Sequence, residues 1–266
     1  MPILEKKHIP VPSQRRSGQP LGKVLFGVAH DTGNLGSTAK GNIDYFTRSK
    51  DEIQASAHIF VDDEHIYECI PTGLTDLPAE KAWHVRYISD IDNKMFLADA
   101  NDNSIGIEFC YGGGIDNQKS YENYVWIWSQ VCKKYELNPL LDIAPHSKLD
   151  PTRRTDPGTG LAYVGKTFQQ FIQDVRNAME PKTFFLIREF YYGATDKTAN
   201  GQVSILQNFL NHIGYSVGTV DGIYGLKTQA AVKAFQRRYV LYAWETATGN
   251  AVGPRTIKAV NSFPFS

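Results

Sequence analysis

Seven histidines are scattered through the chain, and two stand where chemistry could be done. His30 follows directly on the apolar run 21–29 (LGKVLFGVA), so a rigid element would hold its side chain. His146 opens a polar, proline-punctuated stretch, and Asp156 follows within Arg153-Arg154-Thr155-Asp156-Pro157-Gly158. Two imidazoles and one carboxylate can give Zn2+ three protein ligands and leave a fourth position for water. A metal held in that way lowers the pKa of the water and polarises a carbonyl. As residue types alone, the same three also read as ordinary polar loop residues. Glu108 interrupts Ile105-Gly106-Ile107-Glu108-Phe109. Alternation puts it on the face of Gly106, opposite Ile107 and Phe109. A carboxylate there must be paired, or face a cleft or a cation. Beside an activated water it would serve as a general base; a structural salt bridge or a surface-facing position fits it equally well. Trp83-His84 reads as the wall of a carbohydrate or peptide groove, and His58 as a hydrogen-bonded histidine inside a strand.

The elements that must position these groups follow from apolar periodicity. The run 21–29 predicts a buried strand. Residues 37–47 suit a short helix. Residues 56–62 and 65–70 predict a strand pair joined across Asp63-Glu64, and 103–110 another strand, ending at Gly112-Gly113-Gly114. Tyr121, Tyr124, Val125, Trp128, Val131 and Cys132 recur at helical spacing, which predicts a helix over 119–136. The stretch 146–160 reads as loop, and 162–178 as a closing helix. Residues 1–20 read as an irregular arm. Residues 181–192, with the aromatic run 184–192, are expected to pack back on the first domain, with the polar 193–200 as linker. Beyond Gln202, apolar positions mark three short helices, the first two separated by the tight turn Asp221-Gly222-Ile223-Tyr224-Gly225.

Composition narrows the class. The 266 residues are 42% hydrophobic and 21% charged, a globular balance with room for two domains. The formal net charge is zero, which argues against a long-range basic field for nucleic acid. Residues 200–266 are nevertheless basic, with Lys227, Lys233, Arg237, Arg238, Arg255 and Lys258 against Asp221 and Glu245. Three cysteines, Cys69, Cys110 and Cys132, make no disulfide framework and read as buried thiols. No run approaches the roughly 18 apolar residues of a membrane span, and the first twenty residues lack the apolar core of a secretion signal. The expectation is a protein made in the cytoplasm of the producing or infected cell, acting after release, with a monomer favoured.

Several motifs stand in a fixed order: Ala29-His30-Asp31-Thr32-Gly33-Asn34, Ser56-Ala57-His58, Ile70-Pro71, Ala82-Trp83-His84, Asn103 to Glu108, and His146 through Thr155-Asp156-Pro157-Gly158. Together they resemble the zinc-dependent N-acetylmuramoyl-L-alanine amidases, a group of phage lysins, bacterial autolysins and recycling enzymes. The resemblance covers residues 20–160. It implies an α/β catalytic domain over 1–180, a mixed β-sheet flanked by helices. It implies zinc on His30, His146 and Asp156, with Glu108 orienting or deprotonating the attacking water. Where the family usually carries Lys, two residues before the last ligand, this chain has Arg154. Arginine cannot release its proton, so Arg154 is expected to stabilise the oxyanion, leaving proton delivery to Glu108. His84 and Trp83 are expected to contact substrate.

Residues 203–262 resemble the small all-α, three-helix peptidoglycan-binding module, which implies a domain over 203–266 after a connector at 181–202. The matching residues are Leu206-Gln207, Asp221 to Gly225, Thr228, Ala231-Val232, Phe235-Gln236 and Val252 to Thr256. Asp221, Tyr224, Gln236 and Arg255 are its candidate ligand contacts. The partner implied is bacterial peptidoglycan, with no nucleic acid and no membrane. The leading expectation is a phage endolysin that cuts the amide between N-acetylmuramic acid and L-alanine. The alternatives are a non-catalytic peptidoglycan-binding protein and a bacterial autolysin or recycling amidase.

Overall fold

A computed structural model describes residues 2–87, 90–179, 184–240 and 247–263. The chain divides into two units, Met1–Pro181 and Lys182–Ser266. In chain order the first unit contains β1 (Leu4–Lys6), β2 (Phe26–Asp31), α1 (Ala39–Arg48), β3 (Ile59–Val61), β4 (Ile66–Glu68), α2 (Ile91–Phe96) and α3 (Ala100–Asn103). It continues with β5 (Ser104–Phe109), α4 (Asn117–Tyr135), α5 (Pro139–Asp142), β6 (Ile143–Pro145), α6 (His146–Leu149), α7 (Gly158–Ala162) and α8 (Phe168–Met179). Six strands form one mixed sheet in the order β1-β4-β3-β5-β2-β6. Only the β3–β4 pair, the one joined by a short turn, is antiparallel.

The two faces of the central strands have different occupants. Ala29, Ile105, Ile107 and Phe109 point to a core closed by Tyr124, Trp128 and Val131 of α4 and by Phe171 and Val175 of α8. Trp128 and Tyr124 are fully buried; each such aromatic contributes on the order of 2–3 kcal/mol through apolar burial. Gly27 is required on this face, because a Cβ there would lie 2.3 Å from the Trp128 ring. α4 starts where Asp116 accepts from the Lys119 amide and ends at Glu136 in the left-handed region, φ 56°. The opposite face carries Phe26 and Val28, packed with Val85, Ala98, Ala144 and Leu149. The functional groups stand at the end of that face.

Three expectations for the first unit change. The first twenty residues are not an irregular arm. β1 adds an edge strand, and Arg15 and Arg16 are buried. Arg16 donates to both Glu80 carboxylate oxygens at 2.7 Å, from Nε and Nη2, while Arg15 lies over the Phe46 ring at 4.0 Å. The closing helix starts at Phe168 rather than 162, because Gly165 adopts φ +64° and breaks the helical path. The 146–160 stretch contains one helical turn at its start, α6, and the start of α7.

The second unit contains β7 (Phe190–Tyr191), α9 (Asp196–Ala199), α10 (Gln202–His212), α11 (Leu226–Tyr239), β8 (Ala251–Val252) and α12 (Pro254–Asn261). It is largely helical, with β7 and β8 pairing antiparallel. Phe184, Leu186 and Phe190 belong to its core, beside Leu206, Phe209, Phe235 and Val252. That corrects, over the described residues 184–192, the expectation that 181–192 pack on the first domain. Residues 193–200 are not a plain linker either: Thr195 caps α9 in a reciprocal capping box, and Asp196 accepts from the Ser204 amide at 2.9 Å. Residues 241–246 lie outside the described residues.

Candidate metal centre

His30 is the fifth residue of β2, not a residue beyond its end. Its carbonyl accepts from the Tyr124 hydroxyl at 3.1 Å, so α4 holds the strand end from behind. β6 pairs parallel with β2, Ala29 opposite Pro145. His30 and His146 therefore leave neighbouring strands at the same level. The Ser147 amide donates to the Asp156 carbonyl at 2.9 Å, which folds the loop back and returns Asp156 to the histidines. Asp31 fixes the far side, accepting from the Gly160 amide at 2.8 Å and the Gly33 amide at 3.0 Å.

Three side-chain atoms converge as a result. His30 Nδ1 is 3.0 Å from His146 Nδ1 and 3.1 Å from Asp156 Oδ2, and His146 Nδ1 is 2.9 Å from the same oxygen. All three residues are buried, and they form the one group of metal-ligating side chains of this kind among the described residues. Tetrahedral zinc with nitrogen and carboxylate ligands, at bonds of about 2.0–2.2 Å, places its ligand atoms about 3.3 Å apart or slightly more. The triangle is a few tenths of an ångström tighter, and its two-nitrogen, one-oxygen donor set is one that zinc accepts. The residues fit the ion.

The electrostatics suit a cation. Burial, and next the neighbouring His146, lower His30 to about 4, so its imidazole is neutral near pH 7. Burial opposes ionisation of Asp156, but hydrogen bonds from His146 and His30 outweigh it and hold the carboxylate well below its usual range. Glu108 stands directly opposite His30 in the β2–β5 register. It is half-buried, and its Oε2 is buried with no hydrogen-bond partner among the described residues. Burial, then the negative charges of Asp156 and Asp31, push its carboxyl well above the usual range, while Arg154 pulls it down. Arg154 is exposed and makes no side-chain hydrogen bond or ion pair among the described residues. The structure thus brings His30, His146, Asp156 and Glu108 together, with Arg154 close enough for its charge to act on His30 and Glu108.

The expected substrate contacts fare differently. His84 is 8% exposed and lies under His30, its Nδ1 3.0 Å from His30 Nε2, so it does not wall a groove. Trp83 is half-buried, and its backbone is tied to Ser56. His58 is buried, accepts from the Gly106 amide and donates to the Glu80 carbonyl, each at 3.0 Å. In the second unit Tyr224 is fully buried and donates to the Gly249 carbonyl at 2.6 Å, which corrects its reading as a ligand contact. Asp221 accepts from Gln207 at 2.8 Å and from the Ile223 amide at 2.9 Å, so it builds the turn. Gln236 and Arg255 line a cavity of about 390 Å³ with Val240, Thr248 and Thr256. Gln236 spends its amide nitrogen on Ala251 O and Thr256 Oγ1. Tyr124, Asp31 and Gly106 support the centre and were not singled out from sequence as support; the β2–β5 alternation was the available clue for Gly106.

Known proteins resemble the chain in both units. Residues 199–260 match the family described as putative peptidoglycan binding domain. The N-acetylmuramoyl-L-alanine amidase BlyA of Bacillus subtilis is 29% identical over 69% of this chain and 49% of its own length. The chain thus spans about half of that relative. The amidase CwlH of Bacillus subtilis is 26% identical over 89% of this chain and 90% of its own length. CwlL of Bacillus licheniformis, also an N-acetylmuramoyl-L-alanine amidase, is 26% identical over 96% of this chain and 71% of its own. Among solved structures, the catalytic domain of XlyA has a TM-score of 0.52 and 24% identity, over 65% of this chain and 99% of that one. That likeness concerns the fold alone. Residues 20–159, more than half of the chain, match the N-acetylmuramoyl-L-alanine amidase family, and the chain belongs to it.

Proposed function

We propose that the chain is a zinc-dependent amidase that cleaves the bond between N-acetylmuramic acid and L-alanine in peptidoglycan. The observation that carries this reading is the convergence of His30 Nδ1, His146 Nδ1 and Asp156 Oδ2 within 3.1 Å beside the unpaired Glu108 carboxyl. His30, His146 and Asp156 would hold zinc, which when bound supplies an acidified water and polarises the scissile carbonyl. Glu108 takes the proton of the attacking water. The same carboxyl then carries that proton to the departing L-alanine nitrogen. Arg154, whose charge reaches His30 and Glu108, would stabilise the tetrahedral oxyanion electrostatically, since guanidinium does not exchange its proton.

The second unit would hold the enzyme on an insoluble polymer, raising its effective concentration at the bonds it cuts. Among settings, a bacterial wall amidase is better supported than a phage endolysin. The curated relatives above carry the plain amidase name in two Bacillus species, whereas the word endolysin attaches to a structure alike in fold alone, at 24% identity. The test is digestion of purified wall by the zinc-loaded protein with mass spectrometry of the soluble products. Stem peptides with a free L-alanine amino terminus support the reading; binding without release of peptide supports a recognition protein.

A further inference from the structure

His84 belongs neither to the ligand triangle nor to an open groove, yet both its ring nitrogens are engaged. Nδ1 is 3.0 Å from His30 Nε2, and Nε2 is 3.4 Å from Ser104 Oγ. The protons in this chain can be placed by elimination. Ser104 Oγ donates its one hydrogen to the Ala100 carbonyl at 2.7 Å, so toward His84 it acts as acceptor. His84 therefore carries its proton on Nε2 and presents a lone pair at Nδ1. His30 must then donate from Nε2, which leaves the Nδ1 lone pair facing His146 and Asp156. We propose that His84, backed by Ser104, is a positioning residue that sets the tautomer and ring plane of His30 for metal binding.

The surroundings hold His84 from every side. Its backbone amide donates to Asn101 Oδ1 at 2.8 Å, and the Val85 amide donates to the same oxygen at 3.0 Å. Asn101 in turn donates to the Val85 carbonyl at 2.7 Å. The His58 ring stands edge-on to the His84 ring, 5.6 Å between centroids. Beneath it is Gly106, where a Cβ would approach the ring to 2.6 Å. Only a glycine leaves room for the imidazole. His146 lacks any such support: its Nε2 is buried with no hydrogen-bond partner among the described residues. One ligand histidine is locked and the other is not. Locking a ligand's second nitrogen typically changes metal affinity by about 10–100-fold.

The inference rests on zinc being held by the triangle, and the experiment separates the two. Zinc affinity of the full chain is measured by competition with a chromogenic chelator for wild type, His30→Ala, His84→Phe, His84→Asn and Ser104→Ala. Asparagine puts its Oδ1 where His84 Nδ1 stands, so it keeps the acceptor and is expected to stay within a few-fold of wild type. Phenylalanine keeps the ring without the acceptor, and about 10–100-fold weaker zinc binding is expected. Ser104→Ala is expected to fall between them. Histidine 15N spectra of the zinc-loaded wild type, which need no variant to fold, are expected to show the proton on Nε2 of both His30 and His84. If wild type itself binds no zinc, or His30→Ala binds it equally, the metal reading fails and takes this one with it. If wild type binds zinc but His84→Phe binds as tightly, or the proton of His84 is on Nδ1, the positioning role alone is overturned.

Discussion

Gly27 and Gly106 offer one chemical change on two faces of the same sheet. They lie on adjacent paired strands, Gly27 opposite Ile105 and Gly106 opposite Val28. A Cβ at Gly27 would meet Trp128 at 2.3 and 2.6 Å, and a Cβ at Gly106 would meet His84 at 2.6, 2.7 and 3.0 Å. Ordinary carbon contacts begin near 3.5 Å, so in each case a buried ring must retreat by about 1 Å. Overpacking of this kind costs about 1–3 kcal/mol, and for a unit of this size about 2–4 °C of Tm per kcal/mol. Gly27→Ala and Gly106→Ala should therefore lose similar stability, about 2–12 °C. Their effect on the metal should differ. Gly106→Ala pushes His84 off His30, stretching a 3.0 Å bond, and zinc should bind about 10-fold or more weakly. Gly27→Ala disturbs only the helical face and should bind zinc within a few-fold of wild type. Calorimetry gives the first quantity and chelator competition the second. Equal zinc loss in both variants, or none in Gly106→Ala, would refute the division of labour between the faces.

Other outcomes follow from single groups. Glu108→Gln should retain zinc, lose about 10²–10⁴-fold in turnover, and melt no lower than wild type, because a buried unpaired carboxyl is replaced by a neutral amide. Glu68 is fully buried, which by itself would raise its pKa, but bonds from His8 at 2.8 Å, Thr72 and Thr75 at 2.6 Å hold it below its usual value. Its stabilising contribution is therefore present above about pH 4.3, the unfolded value, and is lost as pH falls through the lower folded pKa. Urea midpoints of Glu68→Gln should fall less steeply between pH 5 and pH 3 than those of wild type. Tyr224→Phe should cost about 0.5–1.5 kcal/mol through the lost bond to Gly249 without changing sedimentation with wall. Arg255→Ala should weaken sedimentation at unchanged Tm, and the reverse pattern would return Tyr224 to the ligand surface.

How far the sequence could be read depended on the range of the interaction. Helix α4 and strands β2 to β5 were legible because their apolar periodicity is local. Glu108 was placed on the face of Gly106 by alternation, and the structure places it there. The first twenty residues were not legible, because the partner of Arg16 is Glu80, 64 residues away, and two adjacent arginines look like solvent-facing charge. Phe184 and Phe190 pack in the second unit, which the sequence does not disclose, since an apolar run states that it is buried but not against what. An aromatic-histidine pair suits sugar contact, so the sequence at Trp83-His84 points to a groove. The actual neighbours of His84, His30 and Ser104, are 54 and 20 residues away, and only the closed sheet brings them together. The module resemblance marks Tyr224 without saying which way its ring points, and the ring fills the core of the second unit.

The central claim is tested most directly by cleavage itself. The full chain, stripped of metal and then reloaded with one equivalent of zinc, is incubated with insoluble peptidoglycan, and the products are identified by mass spectrometry. The expected result is release of stem peptides beginning at L-alanine from intact glycan strands, abolished by chelation, by His30→Ala and by Glu108→Gln. Cleavage within the glycan or within the peptide, or cleavage that survives loss of the triangle, would contradict the account.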